Sequence, residues 1–277
     1  MLHHTFCHIP GIGLKTEKKL WEAGITTWDT WRSPSPVRLS AIIHADAAQT
    51  LERSLSALAD DPGYFTRSLG STEPWRIFSQ YRDRTVYLDI ETTGLEDSAE
   101  VTTIALYDGK EVFTYINGIN LHDFVDDIRQ YQVIVTYNGK SFDIPFLERY
   151  FRIRLDQAQI DLRHVLARLG FKGGLKGCEK QLGMNRGNLD GVDGYFAVLL
   201  WYRYRDYNDR KALTTLLAYN VEDTVNLERL AVEAYNRNIL ATPFSDSLLL
   251  PFPEPPPNPY QADYDCVEMI KRSLRAW

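Results

Sequence analysis

Sulfur is scarce in this chain, with three cysteines and three methionines in 277 residues. Cys7, Cys178 and Cys266 are scattered, show no Cys-x-x-Cys spacing and cannot complete a disulfide framework. That excludes a small secreted scaffold held by disulfides. No apolar run is long enough to cross a bilayer, and the opening MLHHTFCHIPGIG lacks the charged-then-apolar layout of a secretory leader. A cytoplasmic, reducing compartment away from the membrane is the expectation. Positive charge is also in deficit: the net charge of −6 argues against coating a polyanion by bulk attraction. Basic residues do gather locally, eight Lys/Arg against three acids between Arg149 and Lys180. A solvated helix face accounts for that run most simply.

What is present is an ordinary globular composition, 44% hydrophobic and 25% charged. Three stretches follow one another. Residues 1–80 read as a helical, loop-rich N-terminal region in which AAQTLERSLSAL is the best helix. Residues 81–238 alternate strand and helix signals, and residues 239–277 carry the proline run PFPEPPPNPY and a short helix near CVEMIKRSLRAW. In the middle stretch TVYLDIE, EVTTIALYD and KEVFTYIN predict an antiparallel meander. LHDFVDDIRQY predicts a helix, QVIVTYN a strand, SFDIPFLERYF a helix entered through Ser141, and QAQIDL a further strand before the helix RHVLARLG. The pattern is α/β: a mixed sheet of three antiparallel strands with later additions, flanked by helices.

One stretch stands out. VYLDIETTGL places Asp89 and Glu91 on the same face of a strand, about 7 Å apart along the chain. Two bare carboxylates about 5 Å apart repel by ~3 kcal/mol at an effective dielectric of about 20. Such a pair needs a reason. Asp143 opens a helix after a buried strand in YNGKSFDIPFL, where the helix dipole alone would favour it. Asp223 lies mid-helix in LLAYNVEDTVNL with Tyr219 four residues before it, so both project from one helix face. Singly, each has an ordinary structural explanation. Together the four carboxylates supply the oxygen ligands that hard divalent cations require, and two such ions ~3.5–4 Å apart suit an in-line phosphoryl displacement.

DIETTGL resembles the first motif of the DEDD 3′–5′ exonucleases, which have an RNase H-like fold. TYNGKSFDIPFL resembles the second motif, and YNVEDTVNL the third in its tyrosine form, Tyr-x-x-x-Asp. The order is correct and the elements are the expected ones. The matched positions of D-x-E-T-T-G alone would arise by chance in roughly a few in ten thousand chains of this length. IDLRHVLARLGF, LKGCEKQLG and Y-N-x-E-D further resemble the YprB-type RNase H-like subfamily. The resemblance covers about residues 81–238. It implies an RNase H-like mixed five-stranded sheet and a hydrolase acting with two Mg²⁺ or Mn²⁺ ions on the 3′ end of DNA or RNA, single-stranded. It implies that Asp89 bridges the two metals, that Glu91 and Asp223 complete the catalytic one, that Asp143 holds the water shell of the second, and that Tyr219 orients the attacking water. Thr92, Thr93, Gly94 and Leu95 would seat the terminal nucleotide, with Asn138 and Phe142 lining the same cleft. A plain strand-ending turn would also explain Thr92 to Gly94. Two other readings stay open: internal or structure-specific cleavage by the same site, and a scaffold that binds nucleic acid without catalysis.

The remaining signals are weaker. WYRYRDYNDRK interleaves Trp201, Tyr202, Tyr204 and Tyr207 with Arg203, Arg205, Arg210 and Lys211. It fits a single-strand path or a helix burying Trp201 equally well. HIPGIGLKTEKKLWEAGITTW resembles part of a helix-hairpin-helix, with Gly11, Gly13, Lys15 and Lys18 as phosphate contacts. A structural cap for the following domain is at least as good a reading, because only nine residues precede Pro10. His3, His4, Cys7 and His8 cluster in a zinc-compatible way, but a frayed terminus is the expectation. The proline run is expected to lie across its own domain.

Overall fold

The computed structural model describes residues 1–32, 34–96, 98–184 and 194–275. Its centre is a five-stranded sheet in the order β3-β2-β1-β4-β5. Strands β1 (Thr85–Thr92), β2 (Val101–Tyr107) and β3 (Val112–Ile116) form the expected antiparallel meander, with β4 (Val133–Thr136) parallel to β1 and β5 (Ala158–Asp161) parallel to β4. The middle place of β1 follows from its sequence. Val86, Leu88 and Ile90 pack into a core on one face, while Tyr87 packs into a second core on the other. Period-2 alternation therefore sends Asp89 and Glu91 to the Tyr87 face.

Helices cover both faces. Ahead of the sheet come α1 (Leu14–Glu22), α2 (Ala41–Ala57), α3 (Pro62–Ser68) and the single turn α4 (Phe78–Tyr81). Asp61 caps α3 by accepting from the Tyr64 amide, with Pro62 in the first turn where its missing N–H costs nothing. After β3, the stretch predicted as one helix breaks into a 3₁₀ turn, the short α5 (Phe124–Asp127) and a second 3₁₀ turn. Helix α6 (Asp143–Phe151) starts two residues later than expected: Phe142 occupies the N-cap, and Ser141 makes no cap. Helices α7 (Leu162–Arg168), α8 (Gly174–Gln181) and α9 (Gly194–Tyr207) follow. Asp209 caps the 31-residue α10 (Arg210–Leu240) by accepting from the Lys211 and Ala212 amides. At 1.5 Å per residue α10 is about 46 Å long, enough to cross β1 and β2 and reach the N-terminal helices. The short α11 (Ser245–Leu248) and α12 (Tyr264–Arg275) complete the chain.

One apolar core joins the N-terminal residues Phe6, Trp28, Phe65 and Trp75 to the far half of α10 through Leu230, Ala234 and Tyr235. The first residues are therefore not frayed: Leu2 and Phe6 are buried. The histidines there do not converge on a metal, since His4 Nδ1 pairs with the Thr26 carbonyl and His8 Nε2 with the Ser54 hydroxyl. Glu17 is buried, accepts from the Phe6 and Cys7 amides, and forms an ion pair with buried Arg76 at 2.8 Å. Arg76 also reaches Glu73, and Glu73 pairs with Arg168 on α7. Only a 3₁₀ turn precedes the Gly11–Gly13 loop, and Lys15 and Lys18 face solvent.

The proline run lies across its own domain. Leu250 exchanges two 2.8 Å bonds with the Asn236 side chain, Asn258 donates to the Ala218 carbonyl, and Tyr260 meets Thr114 on β3. For the aromatic-basic stretch, burial decides. Trp201 is inside, and Arg203, Arg205 and Lys211 pair with Asp209, Asp206 and Asp263. Among the described residues, no helix is long and apolar enough to cross a membrane.

Candidate active site

Three pieces of chain converge at the C-terminal end of β1. The first is the strand itself. Asp89 stands opposite Ala105 and Glu91 opposite Thr103, and the register shifts between Glu91 and Thr92. Such a bulge disrupts the ladder locally and re-aims the side chains beside it, and Thr92 resumes pairing with Val101. Beyond it the chain closes a turn in which the Thr92 hydroxyl donates to the Gly94 carbonyl at 2.7 Å. Thr93 engages Glu100 through both its amide and its hydroxyl, each at 2.9 Å. Leu95 stands out into solvent, 82% exposed.

The second piece is the turn after β4. Asn138 takes a left-handed φ of 69°, a conformation asparagine tolerates better than most residues. Gly139 is pressed so closely on Thr136 that a Cβ there would come within 2.3 Å of its hydroxyl. Asp161, buried at the end of β5, ties the turn down by accepting from the amides of Asn138, Lys140 and Arg163 at 2.8, 3.2 and 3.0 Å. The Asn138 side-chain oxygen accepts from Arg163, and the Phe142 ring lies against Phe146 at 5.6 Å. This turn delivers Asp143 to the first position of α6, where it is buried.

The third piece is α10, which carries Tyr219, Asn220 and Asp223, all buried, against β1 and β2. Asp89, Glu91 and Asp223 each bring a carboxylate oxygen within 4.8 Å of the others, the group among the described residues best arranged to hold a metal ion. Asp143 lies outside that trio yet close enough for its charge to be felt by Asp89 and Glu91.

The electrostatics record the crowding. Burial pushes the Asp89 carboxyl well above the usual carboxylate range, and the charges of Asp223, Glu91 and Asp143 add to it, while Asn220 pulls the other way. Glu91 is raised by burial and by Asp223 and Asp143, with Lys176 opposing. Burial lifts Asp143 to about 7, held back by the backbone amides of Asp143 and Ile90. Without a cation, the cluster relieves its repulsion by holding protons. All donors are hard oxygens gathered on one side, and this set fits Mg²⁺ or Mn²⁺ rather than a thiophilic metal.

Three further residues bear on the site, none of them singled out by sequence reasoning. Lys176 of α8 donates to the Tyr219 hydroxyl at 2.7 Å and lies 4.5 Å from the centre of its ring. Asn220 contacts Asp89 and Thr103, and Asp161 holds the Asn138 turn. Asn220 had a faint signal, being an amide three residues before Asp223 on a helix face that had to be buried. Lys176 had none, because a lysine in a Gly-rich amphipathic helix defaults to solvent.

Comparison with known proteins gives a family and a similar solved structure. A family model described as RNase_H superfamily matches residues 86–235. A solved structure, the family B DNA polymerase from the hyperthermophilic archaeon Pyrobaculum calidifontis, is similar over 56% of this chain, with 18% identity and a TM-score of 0.43. The match takes in 24% of that polymerase, so the chain spans about a quarter of its length. No curated protein matches.

Proposed function

The chain belongs to the RNase H superfamily, and from that premise we propose that it is a metal-dependent 3′–5′ exonuclease of the DEDD type in its tyrosine form, nearest to the YprB-type proteins. The observation that carries the reading is the meeting of Asp89, Glu91 and Asp223 within 4.8 Å, drawn from positions up to 134 residues apart in sequence, with Asp143 beside them. A buried anionic group of this size is unstable alone and useful only with cations.

Asp89, Glu91 and Asp223 would hold one ion, with Asp89 shared to a second whose water shell Asp143 orders. Two bound ions would supply the acidity that makes water a nucleophile at neutral pH and the charge that steadies the departing 3′-oxygen. The chain's own part is positional. A free tyrosine has a pKa near ~10 and is a weak base at neutral pH, so Tyr219 would act by its position. Its hydroxyl accepts from Lys176, a contact that would help fix the group that orients the attacking water. Leu95, exposed at the rim, offers an apolar face to the terminal base. Thr92 and Thr93 hold the Gly94 turn that gives the 3′ end close access. Asn138 and Phe142 would line the same cleft.

The test is degradation of 5′-labelled single-stranded DNA and RNA with Mg²⁺, Mn²⁺ or EDTA. Progressive shortening that needs a divalent ion and disappears in Asp89→Ala is expected, with a circular substrate left intact. Cutting of the circle replaces the exonuclease with an endonuclease, and equal activity in Asp89→Ala defeats the site.

A further inference from the structure

The Asn220 carboxamide is completely buried where α10 meets β1 and β2. Its Nδ2 donates to Asp89 twice, to the main-chain oxygen at 3.2 Å and to carboxylate Oδ2 at 2.7 Å. Its Oδ1 accepts from the hydroxyl of Thr103, also completely buried, at 3.0 Å. Thr103 is the β2 residue paired with Glu91. These bonds leave the amide one orientation. Reversed, its oxygen would face two oxygens of Asp89, and burial makes such a mismatch costly.

A tie between helix and sheet would need only the main-chain bond. The shorter bond goes instead to the carboxylate itself. Asp89 is also the residue most crowded by charge, repelled by Asp223, Glu91 and Asp143 together. Repulsion of that kind turns a carboxylate away from its neighbours unless something holds it. We propose that Asn220, locked by Thr103, is a positioning residue that fixes the Asp89 carboxylate in its metal-sharing orientation, an inference that rests on reading the cluster as a metal centre. Thr103 acts only through Asn220. Partners that orient a ligand in this way change metal affinity by about 10–100-fold.

The experiment titrates the full-length protein with Mn²⁺ by calorimetry and measures kcat and KM on a 5′-labelled oligonucleotide. Asn220→Ala should weaken Mn²⁺ binding 10–100-fold and lower kcat with little change in KM. Thr103→Val should do the same more mildly, and Thr103→Ser should restore wild-type binding. The double variant should bind no more weakly than Asn220→Ala alone, because both act on one contact. Lower melting temperatures with unchanged Mn²⁺ affinity would show that Asn220 merely ties α10 to the sheet, and additive losses would show that Thr103 does not act through it. Either result overturns the inference. If Asp89→Asn leaves the wild-type isotherm unaltered, the metal-centre reading falls and takes the inference with it. If Mn²⁺ binds through Asp89 but no nucleic acid is degraded, only the nuclease reading falls, and the isotherms still decide the role of Asn220.

Discussion

Neutralising Asp89 should make the metal-free protein more stable while destroying its response to metal. At the 4.8 Å limit between carboxylate oxygens, two full charges repel by about 3.5 kcal/mol at an effective dielectric of about 20. Asp89 faces both Glu91 and Asp223, so even at that longest separation the bare repulsion sums to about 7 kcal/mol. Proton uptake lowers it, since holding one carboxyl neutral at pH 8 costs about 5 kcal/mol relative to the unfolded chain. Relaxation and water reduce it further, and a gain of about 2 kcal/mol for Asp89→Asn is a fair expectation. Asn keeps an oxygen to accept from Asn220, so the contact survives. In a chain of this size about 2 kcal/mol raises the melting temperature by roughly 3–4 °C. Mg²⁺ at a hundred times its dissociation constant should then stabilise the wild type by about 2.7 kcal/mol and leave the variant unmoved. Thermal melts at pH 8 with EDTA and with Mg²⁺ should therefore cross over: the variant higher without metal, the wild type regaining the difference with it. A variant that melts below the wild type in EDTA, or that gains equally from Mg²⁺, would refute the reasoning.

Asp143 gives a pH test with a definite sign. Its folded pKa of about 7 exceeds the ordinary 3.8, so the folded state binds the extra proton and this group's penalty grows as pH rises from about 4 to 7. The ceiling is about 4 kcal/mol. His8, lowered to about 4, and the amino terminus, lowered to about 6, work in the opposite direction. Comparing wild type with Asp143→Asn cancels those terms, and the variant's advantage in EDTA melts should widen from pH 5 to pH 8. Tyr219→Phe should lower kcat by about 10–100-fold while Asp89→Ala removes activity below detection, because positioning contributes less than the ions do; equal losses in single-turnover assays would assign the hydroxyl a larger part. Lys176→Met should give a loss similar to Tyr219→Phe, and in the double variant the losses should not add. Arg76→Leu leaves Glu17 in the interior without its ion-pair partner, so it should cost about 3–5 kcal/mol in denaturant melts and expose the first helices to proteolysis.

Much of the sheet was readable from residues 85–161 because its signals are local. Alternation in VYLDIE, apolar runs in VIVT and turn residues between strands are consequences of backbone geometry that need no distant partner. The α6 start shows where local signals mislead. Ser141 looked like a cap, but the left-handed Asn138 and the close-packed Gly139 already turn the chain, and Asp161 from another strand holds it. The amino terminus misled for a related reason. His3 to His8 have no periodicity to announce burial, and the rings that pack against these histidines are Trp28, Phe65 and Phe244, the last more than two hundred residues away.

The four carboxylates and the tyrosine were nameable from sequence, because like charges at the end of an apolar strand and in mid-helix demand an explanation wherever they occur. Sequence alone therefore marked the acids proposed for the chemistry and the class of strand and helix that bear them. Tertiary structure decided how they stand to one another: Asp223 joins Asp89 and Glu91 in one trio, and Asp143 stands just outside it. It also decided what steadies them, Asn220 and Thr103 on Asp89, Lys176 on Tyr219, Asp161 under the turn. Those are polar groups whose partners lie far off in the chain. The physical reason is that a carboxylate advertises its charge to any reader, whereas a neutral amide gains meaning only from what folding places against it.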